Sequence, residues 1–196
     1  MGMTKKLRVK VYIDGANMFY TQKKLGWLID WRKIKDYLKK NYQVLEMRFY
    51  HSRKGEKEEE ENFFDFLRSI DFKLITKPLK RITDENTGRL VFKANFDVEI
   101  TRDILLDLLF FKKCGEGIVF FSGDSDFAPL FWDLKKRFKK KVFIYSSREI
   151  LSWELRLAST NCFFLEDLKN DIFLRNWDLT KDKKFAISKL LSRRSR

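Results

Sequence analysis

Histidine is nearly absent: His51 is the single one in 196 residues. That excludes ribonuclease chemistry built on a pair of histidines, and it leaves no histidine-rich zinc site. Cysteine is scarce too. Cys114 and Cys162 form neither a disulfide framework nor a metal-ligand spacing, and both read as reduced, mostly buried thiols of an intracellular, cytoplasmic protein. No apolar run approaches the roughly 20 residues that cross a bilayer, so no membrane is expected as a partner. Residues 1–8 carry charge without an apolar core, which argues against a signal peptide. No internal repeat is visible. Negative charge is in the minority, 28 Asp+Glu against 42 Lys+Arg, for a formal net charge of +14. A charge that large attracts polyanions, nucleic acid before an anionic membrane. Hydrophobic residues make up 44%, with 20 Phe, enough for the core of one domain, or one domain with a tail.

The chain is organised around residues 118–127, Ile-Val-Phe-Phe-Ser-Gly-Asp-Ser-Asp-Phe. Four consecutive apolar residues read as a strand buried on both faces, as in a parallel sheet covered by helices. The strand ends in Asp124 and Asp126, one residue apart. Open α/β sheets bind ligands at the carboxyl ends of their strands, and two carboxylates this close repel unless a cation neutralises them. The pair therefore reads as a metal site, or as a turn in which Asp126 caps the helix that follows.

Residues 8–13 read as the first strand, and Asp14-Gly15-Ala16-Asn17 again places an acid at a strand's carboxyl end. Residues 18–28 are mixed and partly helical. Asp30 caps a helix over 31–40 with Ile34, Tyr37 and Leu38 inward. A second strand over 43–50 leads into a polar loop, 51–55, which holds His51. A helix over 56–69 carries an acidic run at its start, where the macrodipole favours anions, and buries Phe63, Phe64, Leu67 and Ile70. A third strand covers 73–76. Residues 79–92 read as a β-hairpin or flap ringed by Lys77, Lys80, Arg81, Arg89 and Lys93.

A helix opens at 95 or 96 and runs to about 112. On a helical wheel Asp97 shares the inward stripe with Thr101, Ile104 and Leu108, which makes Asp97 a candidate ligand. Glu99 and Asp103 fall off that stripe and read as solvated, with Asp103 a weaker candidate. After the central strand, a helix over 127–138 buries Phe127, Leu130, Phe131, Leu134 and Phe138. Lys135, Lys136, Arg137, Lys139, Lys140 and Lys141 put six cations in seven residues, denser than helix capping needs. A fifth strand, 142–145, ends in the polar turn Ser146-Ser147-Arg148. A helix over 152–158 and an edge strand over 162–165 complete the fold. Residues 169–196 form a basic C-terminal extension.

Alternating strands and helices imply a three-layer α-β-α fold around a mostly parallel, twisted sheet of five to six strands. Val-Tyr-Ile-Asp-Gly-Ala-Asn, Lys-Ala-Asn-Phe-Asp-Val-Glu-Ile-Thr-Arg-Asp and Phe-Ser-Gly-Asp-Ser-Asp-Phe-Ala-Pro-Leu, in that order, resemble the NYN domain family, a branch of the PIN-like nucleases. The resemblance covers residues 8–168, so a domain over 1–168 is expected. It implies a metal-dependent ribonuclease in which Asp14, Asp97, Asp124 and Asp126 surround Mg2+ or Mn2+. Asn17 and the Ser146-Ser147 turn match supporting positions, and Ser122 and Ser125 join them as candidates. Lys93, the run from Lys135 to Lys141 and Arg148 are the expected RNA contacts, with a homodimer left open. The chain departs from the family at Ala94, where a glycine is usual, by one extra residue before Asp97, and by Thr160 and Asn161 in place of an acid.

Such a centre activates a water and needs no protein nucleophile, which suits a chain with no candidate triad. A non-catalytic RNA-binding module of the same fold is the alternative, although bare carboxylates would repel its ligand. Phosphatase chemistry of the haloacid-dehalogenase kind needs Asp-x-Asp after the first strand, and Asp14 is followed by Gly15 and Ala16.

Overall fold

A computed structural model describes residues 5–53, 58–83, 90–93, 95–109 and 115–174, with only the backbone for 80–83 and 90–93. Six parallel strands form one sheet: β1 (Arg8–Asp14), β2 (Gln43–Arg53), β3 (Lys73–Pro78), β6 (Gly117–Phe121), β7 (Lys141–Ser146) and β8 (Asn161–Phe164). Their order is β3-β2-β1-β6-β7-β8. The sheet is thus all parallel. β4 (Lys80–Thr83) and β5 (Leu90–Lys93) pair separately as an antiparallel hairpin, as the 79–92 stretch suggested.

Burial on both faces explains the strand composition. Val9, Val11 and Ile13 of β1 enter one core beneath α1 (Gly15–Leu25), α2 (Trp31–Asn41) and α3 (Glu58–Ser69). Tyr12 enters the other core, beneath α4 (Asp97–Leu109), α5 (Ala128–Lys136) and α6 (Trp153–Ala158). All five residues of β6 are buried, as their unbroken apolar run requires. The chain thus begins mid-sheet and builds outward both ways, which puts a topological switch point between β1 and β6. At their carboxyl ends the chain leaves β1 into α1 on one face and leaves β6 toward α5 on the other, opening a crevice between the two turns.

Local chemistry sets most boundaries. Asp30 caps α2 by accepting from the Arg32 and Lys33 backbone N–H groups. α1 follows β1 without a linker. A Cβ on Gly15 would drive into the Tyr50 carbonyl, so only glycine fits there. Several expectations are corrected. Residues 51–53 continue β2 instead of forming a loop, because Ser52 and Arg53 pair with Lys77 and Pro78 of a longer β3. The helix before the basic run ends at Lys136, and Phe138 is exposed. The chain turns back there through a positive φ at Lys139, and the Lys140 N–H reaches the Leu134 carbonyl. The described chain continues past 168 into α7 (Lys169–Ile172). Ile172 is buried, and the Leu174 N–H donates to the Leu28 carbonyl. The extension beyond 174, Cys114 and the side chain of Lys93 lie outside the described residues.

Candidate metal centre

Asp14 is the last residue of β1 and is almost fully buried. Its Oδ1 accepts the Asn17 N–H at 3.1 Å, capping α1, and its Oδ2 accepts the Ser122 hydroxyl at 3.3 Å. Asn17 returns the link, its side-chain oxygen accepting the Gly123 N–H at 3.1 Å. The Asp124 N–H donates to Ser122 Oγ at 3.2 Å. Two of these links, Ser122 to Asp14 and Gly123 to Asn17, tie the two turns of the crevice together, and the other two hold each turn in shape. Gly123 is needed for the fit, since a Cβ there would lie 2.5 Å from the Ile150 carbonyl oxygen.

Burial raises the Asp14 carboxyl from 3.8 to about 6; the Asn17 N–H opposes this, the charge of Asp97 adds to it, Ser122 opposes it and Asp124 adds to it. In metal-free buffer the native state therefore holds a proton between pH 4 and 6 that the unfolded chain releases. Stability falls across that interval and stays lower above it. Asp14→Asn keeps a competent cap and removes the charge. The variant is expected to gain up to about 3 kcal/mol at pH 7.5 and nothing near pH 4. Thermal melting at both pH values checks this, and a variant that melts lower at pH 7.5 contradicts it.

Above Asp14, three carboxylates converge: one ligand oxygen each from Asp97, Asp124 and Asp126 lies within 4.8 Å of the others. Asp97 is the first residue of α4, where Asn95 Nδ2 donates to its Oδ2 at 2.6 Å. Asp124 caps a 3-10 turn, residues Ser125–Phe127, by accepting the Asp126 N–H at 3.0 Å. The capping role expected of Asp126 therefore belongs to Asp124. The exposed Asp126 carboxylate accepts no hydrogen bond among the described residues. Burial raises the Asp97 carboxyl, and the charges of Asp124 and Asp126 raise it further, against the pull of Lys77. The donor set suits a hard divalent cation such as Mg2+ or Mn2+, which prefers oxygen and keeps open positions for water and phosphate. Asp14 is not one of the three.

The sequence profile of the NYN domain matches residues 8–166. The chain belongs to the NYN domain family. The low amplitude and bright protein LabA of Synechococcus elongatus (strain ATCC 33912 / PCC 7942 / FACHB-805) is 30% identical over 167 residues, covering 84% of this chain and 87% of LabA. A crystal structure of a protein of unknown function from Vibrio parahaemolyticus RIMD 2210633 superposes with a TM-score of 0.71 at 21% identity. It covers 89% of this chain and 100% of that one, a likeness of fold.

Other expected residues of the NYN domain fall in different places. Ser125 is exposed at the start of the 3-10 turn. Ser146 and Ser147 are buried at the end of β7. Ser147 Oγ accepts the Ile150 N–H at 3.3 Å, and Ser146 Oγ finds no partner among the described residues. Asp103, read from the wheel as solvated, is nearly buried. It accepts the Tyr50 hydroxyl at 2.9 Å and faces Arg48 at 3.5 Å.

Asp103 belongs to a second polar cluster that sequence reasoning missed. Asp107, buried on α4, takes Lys10 at 2.8 Å, Arg48 at 2.9 Å and the Tyr12 hydroxyl at 2.8 Å. Glu46 pairs with Lys10 at 3.3 Å and with Arg48. The signal lay in Lys10 and Arg48, two cations inside strands whose both faces are covered. A buried cation needs an acid opposite it.

The basic run lies at the far end of the molecule. Lys141 pairs with Gly117 at the start of β6, whereas the acids follow the end of that strand. Five residues at about 3.3 Å each place the run some 15 Å or more from the centre. Lys135 donates to the Leu157 and Ser159 carbonyls, Lys140 to the Gly115 carbonyl, and Arg137 pairs with Asp133. Arg148 is held by Asp167 and Glu166. Among the described residues Lys136, Lys139 and Lys141 form no ion pair.

Proposed function

We propose that this NYN domain is a divalent-metal-dependent ribonuclease. The observation that carries the reading is the convergence of Asp97, Asp124 and Asp126 within 4.8 Å at the mouth of the crevice. Three carboxylates held together raise one another's energy and gain a function only when a cation joins them. Bound there, Mg2+ or Mn2+ would lower the pKa of a water and shield charge on the scissile phosphate.

The chain's own residues set the geometry. Asp97 is fixed by Asn95 and by the seating of α4. Asp124 is fixed by the Asp126 N–H, and Asp126 supplies an exposed carboxylate. Asp14 stands behind them as a buried carboxylate that holds Ser122 and Asn17 in register. Lys77, paired with Glu99 at 2.7 Å and stacked over Phe96, is the cation nearest in effect to Asp97 and is suited to meet a substrate phosphate.

Purified protein incubated with a mixture of single-stranded and structured RNAs should yield shortened products with Mn2+ or Mg2+ and none with chelator. Binding without cleavage under every metal condition would leave the non-catalytic RNA-binding module as the reading.

A further inference from the structure

Trp153 lies outside both hydrophobic cores. It is the first residue of α6, yet it is 68% exposed, the most exposed aromatic side chain among the buried and exposed residues described. Leu157, one turn on and 53% exposed, extends the apolar face, and two large apolar side chains exposed side by side mark a contact surface where a lone one would not. Its position says which. α6 packs against the 3-10 turn that carries Asp126, and the Ser152 N–H donates to the Gly123 carbonyl at 2.9 Å. Side chains on a helix lean toward its N-terminus, which here is the edge of the sheet where the acids converge.

The surface continues away from the centre in the same chemistry. Arg156 and Leu157 are exposed on α6. Lys135, bonded to the Leu157 and Ser159 carbonyls, joins the end of α6 to the end of α5. Lys135 and Lys136 both stack on the half-buried Trp132, at 5.0 and 4.5 Å from its ring centre. Beyond them lie Lys139 and Lys141. An exposed aromatic on the helix that packs against the acid-bearing turn, with cations where α5 and α6 end, suits a single strand: a flat ring for a base, then positive charge for the backbone.

Resting on the reading of the acidic cluster as an RNA-cleaving centre, we propose that Trp153 is the stacking platform for an unpaired base next to the scissile phosphate. The substrate is then single-stranded RNA whose flank runs along α6 and α5 toward Lys136, Lys139 and Lys141. This gives the basic run a role although it lies far from the acids. A duplex, with its bases stacked internally, offers Trp153 no face.

The test is binding of a 2′-O-methyl single-stranded oligoribonucleotide, and of the matching duplex, to the full chain in chelator. Trp153→Ala is expected to weaken single-strand binding roughly 5- to 150-fold. Trp153→Phe keeps most of the affinity, and duplex binding by either variant stays within about twofold of wild type. Trp153→Ala binding the single strand as tightly as wild type, or weakening both ligands alike, overturns the proposal. So does a Trp153→Ala variant that changes oligomeric state and leaves RNA binding intact, since the face then belongs to a second copy of the chain. Cleavage of an unmodified strand by wild type with Mn2+ is scored separately. Wild type that never cleaves but depends on Trp153 for binding removes the nuclease reading and keeps the platform. Wild type that cleaves while Trp153→Ala binds and cleaves equally removes the platform alone.

Discussion

Asp126→Asn is expected to reduce RNA cleavage by at least about 100-fold while leaving RNA binding intact or tighter. Loss of a residue that merely orients a metal ligand costs up to about 100-fold, so loss of a ligand costs no less. The substitution changes one atom and removes one charge. It takes no cap away, because Asp124 holds that role through the backbone N–H of Asp126, which the substitution leaves in place. The fold therefore stands, and relief of repulsion with Asp97 and Asp124 raises melting slightly in metal-free buffer. Mn2+ at a hundred times its dissociation constant should stabilise wild type by about 2.7 kcal/mol. For a domain of this size that is roughly 5–10 °C. The variant should show less than half of that rise. Melting of both proteins with and without Mn2+ decides the matter, and an equal metal response would defeat the metal-site reading.

Asp107→Asn is expected to be the most destabilising single change at a polar position, by about 3–5 kcal/mol, or roughly 6–20 °C in melting. It leaves Lys10 and Arg48 buried with one fewer acid between them. Burial opposes the charged form of Asp107. The hydrogen bonds from Lys10 and Tyr12 and the charges of Arg48 and Lys10 outweigh it and hold the carboxyl below the usual range. A carboxyl lowered on folding stabilises above its unfolded pKa, and that stability is lost as pH falls through the folded value. The gap between wild type and variant should thus persist from pH 8 to about pH 4 and narrow only in stronger acid. Replacing Lys10 with Met together with Asp107→Leu should recover the part of the loss that Lys10 causes, because a packed apolar pair avoids the desolvation cost, while Arg48 keeps Glu46 and Asp103 but not Asp107. A loss under 1 kcal/mol for Asp107→Asn would show that the cluster does not hold α4. The stake is functional as well, since α4 carries Asp97 at its first residue.

What the sequence made legible follows strand chemistry. The run 118–121 and the acids after it needed no neighbours to be read, because a strand buried on both faces admits few residue types. The same holds for residues 8–13 and Asp14. The register of α4 was harder. The wheel was centred on Asp97, whereas the helix buries Phe96, Ile100 and Ile104 and turns Asp107 inward with them. An inward acid and a solvated acid look alike until the partner strand is known, and its partners are 59 and 95 positions away. Charge density told that residues 135–141 are basic but not at which end of the sheet they lie. That depends on helix direction across the whole layer.

The links between the two turns of the crevice join residues 106 and 108 positions apart. Everything from α1 to α4 lies in sequence between β1 and β6, so that whole stretch is a loop to be closed when β6 docks beside β1. Contacts this distant in sequence form late and slowly compared with helix packing. Any partly folded form that holds β1, β2 and β3 alone has Asp14 in place and no Asp124 to meet Asp97. Such a form lacks the ligands to bind a cation at the crevice. On the proposed reading of the acids, cation affinity would report folding through β6: a chain stalled before β6 would lack the centre, and a chain that binds the cation would already have closed the loop between β1 and β6.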